Sequence, residues 1–253
     1  MKRWSLLEGK VGACAVVLGA YAVALIATAP ATLADAGLQR ASGGRLRLAE
    51  AQGTLWSGTG QLEIRDPGGR NAVARPLAWR VVPESLLRGH LVCEIGLEQG
   101  RRRFPVTLSL SRIELANADI SLPAAVLGLG VPKLAPLGLT GDVLVHVARL
   151  SIGRSATRGS ATLQWRSAGS ALTPVSPLGD FELRLEGEGP AVRATLHTLQ
   201  GPLQLDGRGS WMRGDSPAFL AMARVPPQHQ QQLAPLLRLI AVERGDGSFA
   251  LQL

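Results

Sequence analysis

Residues 91–110 read LVCEIGLEQGRRRFPVTLSL, and apolar side chains take every second place in two runs, first Leu91, Cys93, Ile95 and Leu97, then Val106, Leu108 and Leu110. Glu94 and Thr107 fall between them, and Glu98-Gln99-Gly100 separates the runs. Such alternation puts one apolar and one polar face on an extended chain, the period of a β-strand and not of a helix. A short glycine-containing connection returns the chain beside itself, so the runs read as antiparallel neighbours.

The same period continues outward on both sides. Leu46/Leu48, Leu62/Ile64, Val143/Val145/Val147, Leu163/Trp165, Phe181/Leu183/Leu185, Val192/Ala194/Leu196, Leu203/Leu205 and Phe249/Leu251/Leu253 all follow it. Turn-forming clusters punctuate the runs, among them Asp66-Pro67-Gly68-Gly69, Gly141-Asp142, Gly187-Glu188-Gly189-Pro190, Asp206-Gly207 and Gly245-Asp246-Gly247. Two stretches break the pattern. Pro123 to Leu129 looks helical, and in Pro227 to Val242 the residues Leu233, Leu236, Leu237 and Ile240 recur at helical spacing. Pro235 is expected to kink or split that second helix.

The fold expected is mainly β: an N-terminal transmembrane helix followed by a large antiparallel, curved or half-barrel-like sheet with one or two short helices. The strand pattern divides near residues 153–170, which allows two subdomains. Arg101 to Leu110 is a candidate free edge for another strand to join.

Val11 to Ala34 carries no charged residue. A helix from Val11 to Ala29, ending before Pro30, would reach roughly 28 Å at ~1.5 Å per residue, about one bilayer core. A cleaved signal peptide competes with a retained anchor, because alanine and glycine fill much of the segment. Against cleavage, the segment is longer than a usual signal core, and Pro30 follows the small triplet Ala27-Thr28-Ala29. Lys2, Arg3 and Lys10 before it are matched by Arg40, Arg45 and Arg47 after it, so flanking charge does not set orientation. The usual topology, N-terminus in the cytoplasm, is expected. The organisation is then a cytoplasmic tip over 1–10, a transmembrane segment over 11–34, a juxtamembrane linker over 35–44 and a β-rich domain over 45–253.

The formal net charge is +8, and of 27 basic residues only Lys2, Lys10 and Lys133 are lysine. Arg101-Arg102-Arg103 is the one basic run, with Phe104 its only aromatic neighbour, which argues against nucleic acid. Cys14 lies in the membrane segment, so Cys93 has no partner for a disulfide. His90, His146, His197 and His229 lie far apart and none has metal-ligand spacing, so no metal and no cofactor is expected. Without a nucleophile elbow, a phosphate-binding loop or paired acids, the chain does not read as an enzyme.

Four motifs stand out. Gln52-Gly53-Thr54-Leu55-Trp56-Ser57-Gly58 reads as a strand bracketed by glycines, with Leu55 and Trp56 on opposite faces and Trp56 covering one surface of the sheet. Pro76-Leu77-Ala78-Trp79-Arg80 is followed by Pro83-Glu84-Ser85-Leu86-Leu87-Arg88-Gly89, a strand and then a single turn. Pro177-Leu178-Gly179-Asp180 opens the strand at Phe181, behind Ala168-Gly169-Ser170-Ala171-Leu172. Gly201-Pro202-Leu203 opens the strand that ends at Trp211.

In this order, behind one membrane segment, the motifs resemble type II secretion system protein N, also called general secretion pathway protein N. The resemblance covers nearly the whole chain. It implies a bitopic protein of the bacterial inner membrane with its bulk in the periplasm, accessory to the export of proteins across the outer membrane. The implied partners are other secretion components, the inner-membrane platform or the secretin. It brings no catalytic residues, and Gly53, Leu55, Trp56, Gly58, Trp79, Leu87, Gly89, Pro177, Gly179, Asp180, Gly201, Pro202, Leu203 and Trp211 are its structural positions. The alternative is a periplasmic lipid-binding or lipid-transfer protein whose curved sheet, of the AsmA kind, lines a groove for acyl chains. A helix at Pro227 to Val242 lying on the sheet would weigh against it. A secreted β protein with a cleaved signal is a third reading.

Overall fold

Antiparallel pairing accounts for every strand. In chain order these are β1 (Leu46–Gly53), β2 (Ser57–Arg65), β3 (Ala72–Val82), β4 (Leu91–Leu97) and β5 (Arg102–Leu108). The middle strands are β6 (Arg112–Pro123), β7 (Leu139–Gly153), β8 (Thr157–Ser170), β9 (Gly179–Gly189) and β10 (Ala191–Gln200). The last are β11 (Gln204–Met212), β12 (Phe219–Arg224), β13 (Ala241–Glu243) and β14 (Phe249–Gln252). They form one open 14-stranded sheet, in sequence order from β1 to β12 and then β14 and β13. The computed structural model describes residues 17–66, 68–69, 72–97, 102–212, 215, 218–244 and 248–252. The expected cytoplasmic tip, residues 11–16 of the membrane segment, the turns at 98–100 and 245–247, Pro67, Arg101 and Leu253 lie outside the described residues.

Register turns the alternation into faces. Cys93 lies opposite Val106, Val106 opposite Leu115 and Leu115 opposite Leu150, so the apolar face of residues 91–97 continues across four strands. A second row carries Val145, Leu163, Leu183, Leu196, Gly207, Ala221 and Leu251 from β7 to β14. The other face of the same strands carries Asp119, His146, Thr162, Arg184 and Thr195 in register.

Helices cover this apolar face unevenly. Residues 17–27 are helical (α1), followed by α2 (Thr32–Ala41), α3 (Ala125–Gly130) and α4 (Pro227–Arg238), with short 3-10 turns at Pro83–Arg88 and Pro132–Leu137. On the C-terminal strands, Leu233, Leu236 and Leu237 of α4 join Phe181, Ala221, Ala223, Phe249 and Leu251 in one buried cluster. On the N-terminal strands, Ala31, Ala34 and Leu38 pack on Leu48 and Trp79. Between them, Phe104, Ala118 and Val147 are buried among neighbours that all lie on β4 to β8.

Two particulars differ from the sequence reading. Pro235 does not split α4, which runs through it to Arg238. Gln231, whose carbonyl loses its helical donor to that proline, is exposed, so water can take the donor's place. The described part of the expected edge Arg101 to Leu110 is not an edge, because β5 pairs with β4 on one side and β6 on the other; among the described strands the edges are β1 and β13. Alternation marks a strand without saying who its neighbours are. Most of the expected linker, 35–44, belongs to α2. Among the described residues no helix is long and apolar enough to cross a membrane, and residues 11–16 of the expected span are not among them.

Candidate functional site

The turn between β1 and β2 holds the C-terminal end of α1. Leu55 N–H donates to the Ala29 carbonyl at 2.8 Å, Ala31 N–H donates to Gly53 at 3.2 Å, and Pro30 bridges Thr54. The last carbonyls of a helix have no partner within it. One of them, on Ile26, accepts the Ala29 N–H just past the helix at 3.2 Å and the indole Nε1–H of Trp56 at 2.7 Å. Trp56 therefore reaches off the sheet to the helix, and the expectation that it covers a sheet surface is corrected. That covering role falls to Trp79, which is buried and donates its own Nε1–H to the Leu55 carbonyl at 3.2 Å.

Two glycines make room for this clamp. Gly53 has φ +95, and a Cβ there would stand 2.6 Å from the Ser57 carbonyl oxygen. A Cβ on Gly58 would stand 2.5 Å from the Trp79 ring. Gly53, Leu55, Trp56, Gly58 and Trp79, drawn from two motifs, thus form one site. Trp56→Phe keeps a ring but removes the donor. It should cost about 1 kcal/mol, read as faster hydrogen exchange at the Leu55 and Ala31 amides with β9 unchanged.

Asp35, which the sequence did not single out, closes the free side of β1. Its Oδ1 accepts the Leu48 N–H at 2.7 Å and its Oδ2 accepts Gln39 Nε2–H at 2.8 Å. Burial pushes the carboxyl's pKa up. The hydrogen bonds from Gln39 and Leu48, with the charges of Arg47 and Arg65, outweigh it and hold the pKa below 3.8. A carboxyl lowered on folding stabilises the fold above its unfolded pKa, and the contribution fades as pH falls through the folded value. Asp35→Asn should therefore flatten the acid side of the stability profile, measured by denaturant unfolding below about pH 4.

A second site forms at the opposite end of the sheet from the third and fourth motifs. Leu178 N–H donates to Ala168 at 2.6 Å, and Leu203 N–H donates to Leu178 at 3.0 Å. Asp180 accepts Ser167 N–H at 2.7 Å on one oxygen and Gln200 Nε2–H at 2.6 Å on the other. Gly179 and Gly201 touch backbone to backbone, and Leu203 enters the core beside α4. Pro177, at a cis peptide bond after Ser176, and Pro202 lead the chain into this junction. Trp211 stands apart, half-buried on β11 opposite Val192. Gly89 closes the 3-10 turn by donating its N–H to Leu86 at 3.0 Å. Leu87 lies in that turn, and its side chain is outside the description.

Two surfaces remain open to a partner. On the polar face, Glu182 is buried, accepts Gln164 Nε2–H at 2.9 Å and Arg184 Nη2–H at 3.0 Å, and lies 3.7 Å from His197. Beside it His146 Nδ1 and Asp119 Oδ1 are 2.7 Å apart, around a depression of about 410 Å³. At the sheet's end, β13 pairs only with β14, and exposed Val242 and Leu239 border a hollow of about 500 Å³ with Arg238 and Arg244. A three-residue strand is too short to announce itself by period, so the sequence missed it. Among the described residues no three of His, Cys, Asp and Glu converge as metal ligands. Burial pushes the free Cys93 thiol up from its ordinary value, away from nucleophilic character.

Fold and site together define a mainly β protein, one open antiparallel sheet that clamps the end of an apolar helix at its rim. The chain belongs to the type II secretion system protein N family, whose family model matches residues 44–252. No curated protein and no solved structure matches it.

Proposed function

We propose that the chain is an accessory inner-membrane component of the type II secretion system that assists protein export across the outer membrane by binding other components of the machine. The family match over 44–252 carries this reading. The uncharged segment that begins at residue 11 anchors it with the N-terminus in the cytoplasm, its last residues, 29–34, being held by the sheet and α2, and the sheet lies in the periplasm. In this reading the helix leaves the membrane near Thr28, where the clamp begins. The sheet is curved toward its apolar face, which accords with α3 reaching back from β6 to β2 and β3.

Binding occurs at β13. Asp35 and α2 occupy the free side of β1, whereas β13 offers unpaired backbone groups flanked by apolar Leu239 and Val242. An extended segment of the secretin or of the inner-membrane platform can add there as a further strand. No catalytic role is assigned.

The lipid-binding alternative keeps one favourable observation, the apolar patch on β4 to β8 that no helix residue joins. It loses the C-terminal strands, where α4 fills the apolar face. A deletion strain decides between them. Secreted proteins should accumulate in the periplasm, the full chain should restore export, and Val242→Pro, which distorts a backbone position on the open strand, should not. Normal export with altered envelope lipids would favour the lipid reading.

A further inference from the structure

The order of the strands sorts the connections into two ends. Gly53 lies opposite Gly58, Val82 opposite Val92, Leu108 opposite Ile113 and Ile152 opposite Thr157, so the connections at 54–56, 83–90, 109–111 and 153–156 share one end. That is the end at which α1 is clamped. Residues 17–28 are all exposed, and among the described residues the helix meets the sheet through its last turn. A chain held in a bilayer by α1 therefore presents this end to the lipid surface. Successive connections at one end are two strand spacings apart, about 10 Å.

The side chains at this end fit that surface. Leu110, at the tip between β5 and β6, is 92% exposed, and Leu86 in the Pro83–Arg88 turn is 44% exposed. Leu108 and Ile113 extend the apolar patch behind Leu110 to 37% and 42% exposure. Arg88, Arg112 and Arg154 stand around them, all exposed. Arg154 Nη2 lies 3.4 Å from the Leu110 carbonyl, which sets its guanidinium beside the tip. The acids nearby are Glu84 in the same turn as Leu86 and Glu114, which lies 3.5 Å from Arg112 as an exposed pair. A surface pair of that kind holds its arginine weakly against a phosphate.

We propose that this rim is a second membrane contact: Leu110 and Leu86 enter the interfacial layer of an anionic phospholipid bilayer, and Arg88, Arg112 and Arg154 meet its phosphate groups. Single apolar side chains at exposed loop tips partition into that layer, and arginines beside them are drawn to anionic lipid. Together with α1 the contact fixes the sheet's tilt and orients the β13 edge. The inference rests on the reading of α1 as a membrane anchor.

The test uses the full chain in vesicles of phosphatidylglycerol and phosphatidylethanolamine. An environment-sensitive fluorophore is placed in turn by Leu110→Cys, Val23→Cys and Ala171→Cys in a Cys14→Ala, Cys93→Ala background, and quenched by spin-labelled lipid. Quenching at Val23 and Leu110 but not at Ala171, on the opposite end, is expected. Arg112→Glu with Arg154→Glu should lower membrane occupancy of Leu110, by about fivefold for each arginine lost. Quenching at Val23 without quenching at Leu110 overturns the proposal and leaves the anchor standing, as does equal quenching at Leu110 and Ala171. No quenching at Val23 overturns the anchor and the proposal together. Unchanged quenching at Leu110 in phosphatidylcholine alone overturns the headgroup assignment.

Discussion

Gly201→Ala should destabilise the chain by about 2–5 kcal/mol, combining a backbone conformation that side chains resist with a clash that cannot relax. Gly201 sits at φ +122, and a Cβ there would press on Gly179 Cα, with the Leu178 carbonyl oxygen at 2.8 Å and Gly179 N at 3.0 Å. All three are backbone atoms, so no side chain can swing aside. The strain falls on the link between Leu178 and Leu203, which ties the third motif to the fourth. A denaturant midpoint well below that of the parent is the expected reading. Gly130→Ala is the control, since nothing lies within 4 Å of the added Cβ, and its stability should change by no more than about 0.5 kcal/mol. Equal midpoints for the two variants would contradict the close approach of the two glycines.

Phe249→Ala should cost about 3–5 kcal/mol, the range for emptying a buried aromatic site. Phe249 is fully buried among Leu233, Leu237, Ala221 and Leu251, and it stands on β14, which has only four residues to hold it. Loss of the ring should loosen the C-terminal unit before the rest of the sheet. Limited proteolysis of the variant should therefore cut first within 225–244, where α4 and β13 lie. Leu220→Ala, 63% exposed on neighbouring β12, should leave the parent's cleavage pattern unchanged. First cleavage elsewhere would mean that α4 is held by something other than this core.

The sheet was largely legible because its signal is local. The alternation at Leu91 to Leu97 and at Val106 to Leu110 needs no distant residue to be read, and the structure pairs those strands with Cys93 opposite Val106. Leu233, Leu236 and Leu237 likewise declared the buried face of α4 by spacing alone. What escaped depends on residues far apart in the chain. Trp56 could not reveal its bond to Ile26, 30 positions away. The meeting of Gly179 with Gly201 joins two motifs that each read as an ordinary strand opening. Asp35 looked like a linker acid until β1 brought Leu48 N–H to it. Eleven of the family's motif residues thus fall into two structural sites at opposite ends of the sheet, whereas Leu87 and Gly89 belong to the Pro83–Arg88 turn and Trp211 stands on β11.

β13 lies outside every motif, and a partner that binds there must come within reach of exposed Val242. A photo-crosslinking residue replacing Val242 in the full chain, expressed in cells that assemble the secretion machine, addresses that binding directly. A covalent adduct with another type II secretion component, identified by mass spectrometry, is expected, and none from the same probe at Thr162 on the polar face. Recovery of lipid alone, or the same adduct from both positions, would contradict binding at β13.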